Sequence, residues 1–168
     1  MLIDRMGGME PLNMHMKELG LQQSNLSRKM MDFRARARGS ENYTSAADIG
    51  GILERIYRGE ILDKTRSQIA LDILKHQKYR DRIPAQLPRD IVVAHKTGLE
   101  NNIVHDAGIV YTPNGDFMVC VLTRSPALYR DAKHLIGWIS YDVYQYMLRS
   151  KNLDEFKLFP NVGIQSVS

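Results

Sequence analysis

The sequence is poor in the features that mark several classes of protein. It has one cysteine, Cys120, among 168 residues, so it can form no internal disulfide. No run approaches the ~20 apolar residues of a membrane-spanning helix. Lysine and arginine exceed aspartate and glutamate only by 23 to 19, so we expect no nucleic-acid partner. Cys120 lies in an apolar alternating stretch, which predicts a small buried core residue.

Metal-ligand motifs and a recognisable leader are also missing. The five histidines show no HExxH or other ligand spacing, so we predict no metal site and no cofactor: His15, His76, His95, His105 and His134. The first five residues, Met1-Leu2-Ile3-Asp4-Arg5, have neither the apolar region nor the cleavage site of a signal peptide. The residues themselves therefore give no location.

The composition that is present, 43% hydrophobic and 25% charged, predicts one globular domain spanning residues 1–168. Residues 1–89 are predicted to be a helical region. Apolar residues recur at helical spacing in three segments, 9–19, 45–58 and 62–76, the last with Ile69 and Ile73 on one face. Between the first two lies a long loop, residues 21–43, without a usable period; loops of this length are usually functional or disordered.

From residue 90 the period changes from helical to extended. Three strands are predicted within 90–124, and the Asn114-Gly115 pair between two β-rich runs favours a hairpin. A helix over 126–149 follows, with enough apolar residues on one stripe to cover one face of the sheet. The tail, 150–168, has no clear pattern. Helices segregated from an antiparallel sheet indicate the α+β class.

Lys96-Thr97-Gly98 ends the first predicted strand, and a hairpin and a long helix follow it. Such a tripeptide is common by accident, but this context is typical of the Lys-Thr-Gly strand of serine β-lactamases and penicillin-binding proteins. Further landmarks occur in order upstream: Gly7-Gly8, Leu19-Gly20-Leu21, Asn42 to Ala46, Arg58 to Leu62 and Arg82 to Pro88. The chain therefore resembles class A β-lactamases and their penicillin-recognising serine-hydrolase relatives over residues 2–149.

The resemblance implies a fold and a set of roles. It implies a β-lactamase/transpeptidase-like fold and an acyl-enzyme mechanism on a β-lactam or peptide-like anionic small molecule. Lys96 and Thr97 would bind the substrate carboxylate, since charge-assisted hydrogen bonds are strong. With Gly98 between them, Leu99 would supply a backbone N–H to half of the oxyanion hole. The family also implies a secreted, periplasmic or cell-envelope location.

The nucleophile motif of that family is absent from these residues. No Ser-x-x-Lys tetrapeptide occurs, and both it and the Ser-Asp-Asn motif are expected upstream of residue 1. We therefore expect a C-terminal portion of the domain that is inactive alone. Ser40-Glu41-Asn42 is rejected as a substitute motif, because it lies at the exit of the long loop and too close to Lys96 in the sequence.

The long loop also departs from the lactamase pattern. The family's Glu-x-x-x-Asn positions, aligned from Arg28, fall near Met30 and Arg34. Asp32 is the only nearby acid and is a weak candidate for a catalytic base. The resemblance instead implies a structural pair, Arg28 with Glu41, that closes the neck of the loop.

Three alternatives stay open at this stage. Arg34, Arg36 and Arg38 alternate with other residues, which would place three guanidinium groups on one side of an extended segment. That arrangement suits a solvated loop or, less well, a nucleic-acid contact. A chain without its nucleophile could also be a non-catalytic binding or assembly module that self-associates through exposed apolar faces.

Overall fold

A computed structural model describes residues 2–149, and the predicted tail, 150–168, lies outside the described residues. The fold is α+β, with a helical region, an antiparallel sheet and a long C-terminal helix, as the sequence predicted. The elements follow this order: α1 (Leu2–Arg5), α2 (Met9–Glu18), α3 (Phe33–Ala37), α4 (Ala46–Arg58), α5 (Lys64–Lys75), a 3-10 turn (Ile83–Gln86), β1 (Val92–Glu100), β2 (Ile103–Tyr111), β3 (Phe117–Arg124) and α6 (Tyr129–Arg149).

The three strands form one antiparallel sheet in the order β1-β2-β3. A two-residue turn joins β1 to β2, and its Asn102 adopts a φ of 63°, which asparagine tolerates better than most residues. The second strand begins at Ile103, so the polar pair His105 and Asp106 belongs to the sheet. Alternation along the strands gives the sheet two distinct faces.

One face of the sheet packs against α6 and the 3-10 turn. Its core contains valines from all three strands, and α6 contributes buried residues at every fourth position, Ala132, Ile136, Ser140 and Tyr144. Leu128 and Leu135, which the stripe of 126–149 also included, are more than half exposed. Cys120 lies on the other face of the sheet. It is only half-buried, whereas the sequence predicted a buried core residue. No helix within residues 2–149 is long and apolar enough to cross a membrane.

The helical region packs mainly through α4 and α5. Ser45 caps α4 by accepting a hydrogen bond from the Asp48 N–H at 3.0 Å, and Gly59 ends that helix in the left-handed conformation. On α5 the expected apolar face is wrong, because Ile69 and Ile73 are 55% and 69% exposed. The buried positions of α5 are Ser67 and Leu71 instead.

The long loop contains a short helix that its sequence did not predict. Asp32 caps α3 by accepting a hydrogen bond from the Ala35 N–H at 2.9 Å. Because α3 is helical, the expectation of an extended segment with three arginines on one side is wrong. Arg34 and Arg38 are exposed, whereas Arg36 turns toward the sheet and binds Glu41 and Glu100.

Gly108 should be the least replaceable glycine of the sheet. A Cβ at Gly108 would lie 2.4 Å from the Cβ of His95 and 2.6 Å from the carbonyl oxygen of Ala94. We expect Gly108→Ala to lower the free energy of unfolding by about 1–3 kcal/mol, because the backbone must move. Gly51→Ala is the control, since its Cβ meets nothing within 4 Å and it lies within α4, where alanine gains up to ~1 kcal/mol. Equal urea midpoints for the two variants would contradict this packing.

Candidate functional site

The Lys96-Thr97-Gly98 segment lies in β1, at an edge of the described sheet. Lys96 is exposed, and its ammonium group donates a hydrogen bond to the carbonyl oxygen of Thr97. Successive side chains of a strand point to opposite faces, so Lys96 and Thr97 can reach one common ligand only beside the outer edge of β1. No other described strand occupies that edge.

Gly98 allows close cross-strand packing next to this edge. It pairs with His105 of β2, and a Cβ at position 98 would lie 3.1 Å from the Cβ of His105. The Nδ1 atom of His105 accepts a hydrogen bond from the Thr123 N–H at 3.0 Å, so this nitrogen carries no proton. Burial, together with the positive charge of Arg82, lowers the pKa of His105. His105 is therefore a neutral packing residue at neutral pH.

A buried polar pair holds β1 from the opposite face. His95 and Asp106 are 1% and 0% exposed, and Nδ1 of His95 donates to the Asp106 carboxylate at 3.0 Å. The same carboxylate accepts a hydrogen bond from the Ile83 N–H at 3.1 Å. Asp106 thus joins β1, β2 and the 3-10 turn, and it fixes the residue immediately before Lys96.

The neck of the long loop is closed by backbone and side-chain hydrogen bonds. Asn25 and Tyr43 form an antiparallel bridge with two N–H to carbonyl bonds of 2.9 Å. The side-chain oxygen of Asn42 accepts hydrogen bonds from the Ser27 N–H at 2.8 Å and the Arg28 N–H at 2.9 Å. Asn42 and Glu41 therefore stabilise the neck of the long loop. The Ser40-Glu41-Asn42 segment contacts this neck and not Lys96.

Arg28 and Glu41 meet at the neck, with Nη2 of Arg28 lying 2.6 Å from Oε1 of Glu41. The same nitrogen lies 3.3 Å from the Glu100 carboxylate at the end of β1. Arg36 contacts both acids as well, at 3.2 Å from Glu41 and 3.1 Å from Glu100. Two arginines and two glutamates thus form a charge-balanced network, which we call the loop-strand network.

The network shifts the pKa of its members. The hydrogen bond from Arg28 to Glu41 raises the pKa of Arg28 further above its usual value. Burial acts to raise the pKa of Glu41, but hydrogen bonds from the Asn42 N–H and Arg28, with the charges of Arg28 and Arg36, outweigh it and lower that pKa. Both groups are therefore charged at neutral pH.

A groove of about 660 Å³ lies between the loop and the β1–β2 turn. Met31, Phe33 and Leu99 give it apolar walls and are each more than half exposed. The remaining lining residues are Arg36, Ala37, Glu100 and Asn101. Glu100 is the only carboxylate in this lining, and two arginines hold it.

Asp32 does not line this groove. Its carboxylate caps α3, which accounts for its position without a catalytic role. Met30 and Arg34, at the positions expected for the glutamate and asparagine, are both exposed. Within residues 2–149, no three His, Cys, Asp or Glu side chains cluster closely enough to hold a metal ion.

The profile of the beta-lactamase enzyme family matches residues 1–147. The chain belongs to this family. Comparison with curated proteins finds no match.

Several solved structures are similar to the chain in fold. A mutant of PBP-A, solved as an acyl-enzyme complex with penicillin G, is 32% identical with a TM-score of 0.78, covering 89% of this chain and 55% of PBP-A. A beta-lactamase from Sphaerobacter thermophilus is 28% identical with a TM-score of 0.78, covering 90% and 57%. A class A representative from Bacteroides cellulosilyticus is 25% identical with a TM-score of 0.73, covering 88% and 56%. The chain thus spans little more than half of their lengths.

The sequence did not identify Arg36 and Glu100 as further members of the loop-strand network. The available signal was an acid four residues after Lys96, at the end of the same strand. Nothing in the local pattern shows that α3 brings Arg36 to it. This contact depends on how the loop folds across the β1–β2 turn.

Glu41→Gln should destabilise the beta-lactamase-like chain in a pH-dependent way. The folded-state pKa of Glu41 lies below 4.5, so its ionised form contributes stability above pH 4.5 that is lost as the pH falls through the folded pKa. We expect the variant to have a lower urea midpoint than the wild type at neutral pH, with the difference shrinking below pH 4.5.

Glu60→Gln is the control for this pH dependence, because Glu60 is half exposed and its nearest arginine nitrogen is 3.9 Å away. It should change the midpoint little at either pH. A Glu41→Gln effect of the same size at both pH values would contradict the assigned role of the charge.

Proposed function

We propose that this chain forms the substrate-binding wall of a β-lactamase-like serine hydrolase that acts through an acyl-enzyme on β-lactams or related amides and esters. The observation that carries the proposal is the exposed Lys96 on β1, at a sheet edge where no other described strand pairs, in a chain of this family. The penicillin G acyl-enzyme of PBP-A supports the reaction class by similarity.

In this proposal Lys96 attracts an anionic substrate to the β1 edge, because an exposed ammonium group forms charge-assisted hydrogen bonds with carboxylates. Thr97 contributes a hydroxyl from the other face of the strand, and the Leu99 N–H contributes one oxyanion donor. Gly98 keeps β1 close to His105, which stiffens the segment. The wall therefore binds and orients, and the attacking group comes from elsewhere.

These 168 residues contain no Ser-x-x-Lys tetrapeptide, so we propose that they form no acyl-enzyme by themselves. Hydrolysis of such an intermediate also lacks support here, since Met30 and Arg34 occupy the positions of the family's glutamate and asparagine. The absence of this glutamate and asparagine from residues 30 and 34 favours acyl transfer, or an esterase or peptidase reaction, over rapid drug hydrolysis.

Fluorescent penicillin tests the covalent part of the proposal. After incubation and denaturing electrophoresis, the 168-residue chain should carry no covalent label, whereas intact PBP-A serves as the positive control. Stoichiometric labelling of the chain would contradict the claim that it lacks a nucleophile.

Non-covalent binding tests the wall itself. Amide spectra recorded with millimolar benzylpenicillin should show shifts confined to the segment Lys96 to Leu99 and the groove, as expected for weak binding of about 4 kcal/mol or less. Lys96→Gln should remove these shifts. Lys17→Gln is the matched control, because Lys17 is an exposed lysine on α2. Unchanged shifts in Lys96→Gln, or no shifts in the wild type, would contradict the proposed wall.

A second candidate function is assembly with a second copy through β3. Among described residues no strand pairs with the outer edge of β3, and Phe117 to Thr123 contain no charge and no proline. Natural edge strands usually carry a charged residue or a proline, which hinders pairing with another strand. An antiparallel pair of β3 strands centred on Cys120 would place Asp116 beside the partner's Arg124, so the two ends are complementary in charge.

Light scattering and oxidative cross-linking test this candidate. The chain should be a dimer in solution, and mild oxidation should link Cys120 to the partner's Cys120. Cys120→Ala should abolish the link but leave the dimer. A monomer at all accessible concentrations would rule the assembly out, and a dimer that never cross-links would reject this register.

A further inference from the structure

The contact between Arg36 and Glu100 links the long loop to the proposed binding strand. Glu100 is the last residue of β1, four residues after Lys96, and Arg36 lies in α3 within the long loop. Nη1 of Arg36 donates to the Glu100 carboxylate at 3.1 Å, and Nη2 donates to the Asn101 carbonyl at 3.2 Å. One guanidinium therefore contacts both the strand end and the turn that follows it.

Arg36 also remains tied to the exit of its own loop. Its Nε lies 3.2 Å from the Glu41 carboxylate, on the side chain that Arg28 contacts at the neck. A planar guanidinium with donors on several sides can bridge such groups, whereas a lysine ammonium cannot match the geometry. One side chain of α3 therefore contacts both the loop exit and the end of β1.

We propose that Arg36 and Glu100 are positioning residues that fix the width of the groove between the long loop and the Lys96 strand. The groove has Met31 and Phe33 on its loop side and Leu99 on its strand side, and both members of the pair line it. Few apolar contacts hold these walls, since all three side chains are more than half exposed. The ion pair supplies the constraint that packing does not.

The pair also sets the charge of the groove. Two guanidinium groups, from Arg28 and Arg36, face two carboxylates, from Glu41 and Glu100, so the network is neutral. A neutral, apolar groove favours an uncharged apolar substituent and leaves the anionic end of a ligand to Lys96. This consequence for specificity rests on the proposed function, whereas the positioning role does not.

Hydrogen exchange on the full 168-residue chain tests the positioning role without any ligand. Arg36→Gln and Glu100→Gln should each speed amide exchange in residues 27–42 by about 10-fold or more, because loop opening no longer breaks this contact. The double variant should exchange more slowly than the two single effects combined would predict, since both single variants remove the Arg36–Glu100 contact. Arg36→Lys should restore only part of the protection.

Arg34→Gln is the matched control, because Arg34 is an exposed arginine on the same short helix. It should leave exchange in residues 27–42 within about two-fold of the wild type. Exchange in β2 and β3 should stay unchanged in every variant, which separates a positioning role from general destabilisation.

Three outcomes would overturn the proposal: wild-type exchange in both single variants, additive effects in the double variant, or equal acceleration in the loop and the central strands. Each of these can be observed whether or not the chain binds penicillin. Failure of the positioning role is therefore distinguishable from failure of the proposed function.

Discussion

The sharing of Glu41 and Glu100 between Arg28 and Arg36 is the interaction on which the shape of the candidate site depends. Arg28 is only 3% exposed, and two carboxylates balance its charge. An unpaired buried charge is strongly unfavourable, so closing the neck of the loop requires both Glu41 and Glu100 beside Arg28. Closure of the neck and placement of α3 against β1 are consequently one event.

The strand side of the site is rigid for a different reason. Asp106 accepts hydrogen bonds from His95 and the Ile83 N–H in the interior, while two glycines let β2 approach β1 more closely than side chains would allow. These contacts fix the backbone on both sides of Lys96. The site therefore combines a rigid strand with a loop held by hydrogen bonds and ion pairs at its neck, which is a common division between scaffold and functional segment.

The sequence was sufficient for the features that follow from periodicity. The three strands and the long C-terminal helix depend on local alternation and turn residues, and their approximate positions were predictable. The first strand, however, does not end at Lys96-Thr97-Gly98 but continues to Glu100. Ile69 and Ile73 were misjudged because a helical apolar pattern shows which residues share a face and not which face is covered. Helix α3 was missed because its five residues are too few to show a period.

The partners of each charged residue could not be predicted from local pattern. Arg28 with Glu41 came from resemblance to a family, whereas the Arg36 and Glu100 contact joins residues 64 positions apart and requires the folded loop. The role of Asp32 as a helix cap likewise became visible only once α3 was known. Family membership then explains the fold.

The most direct test of the central claim is the behaviour of the arginine side chains in solution. Guanidinium N–H signals of Arg28 and Arg36 should be resolved and slow to exchange with water at neutral pH, because carboxylates hold both groups. Signals of the exposed Arg34 and Arg38 should be averaged by exchange. If all four arginines exchange equally fast, the loop-strand network does not exist in solution and the account of the site is wrong.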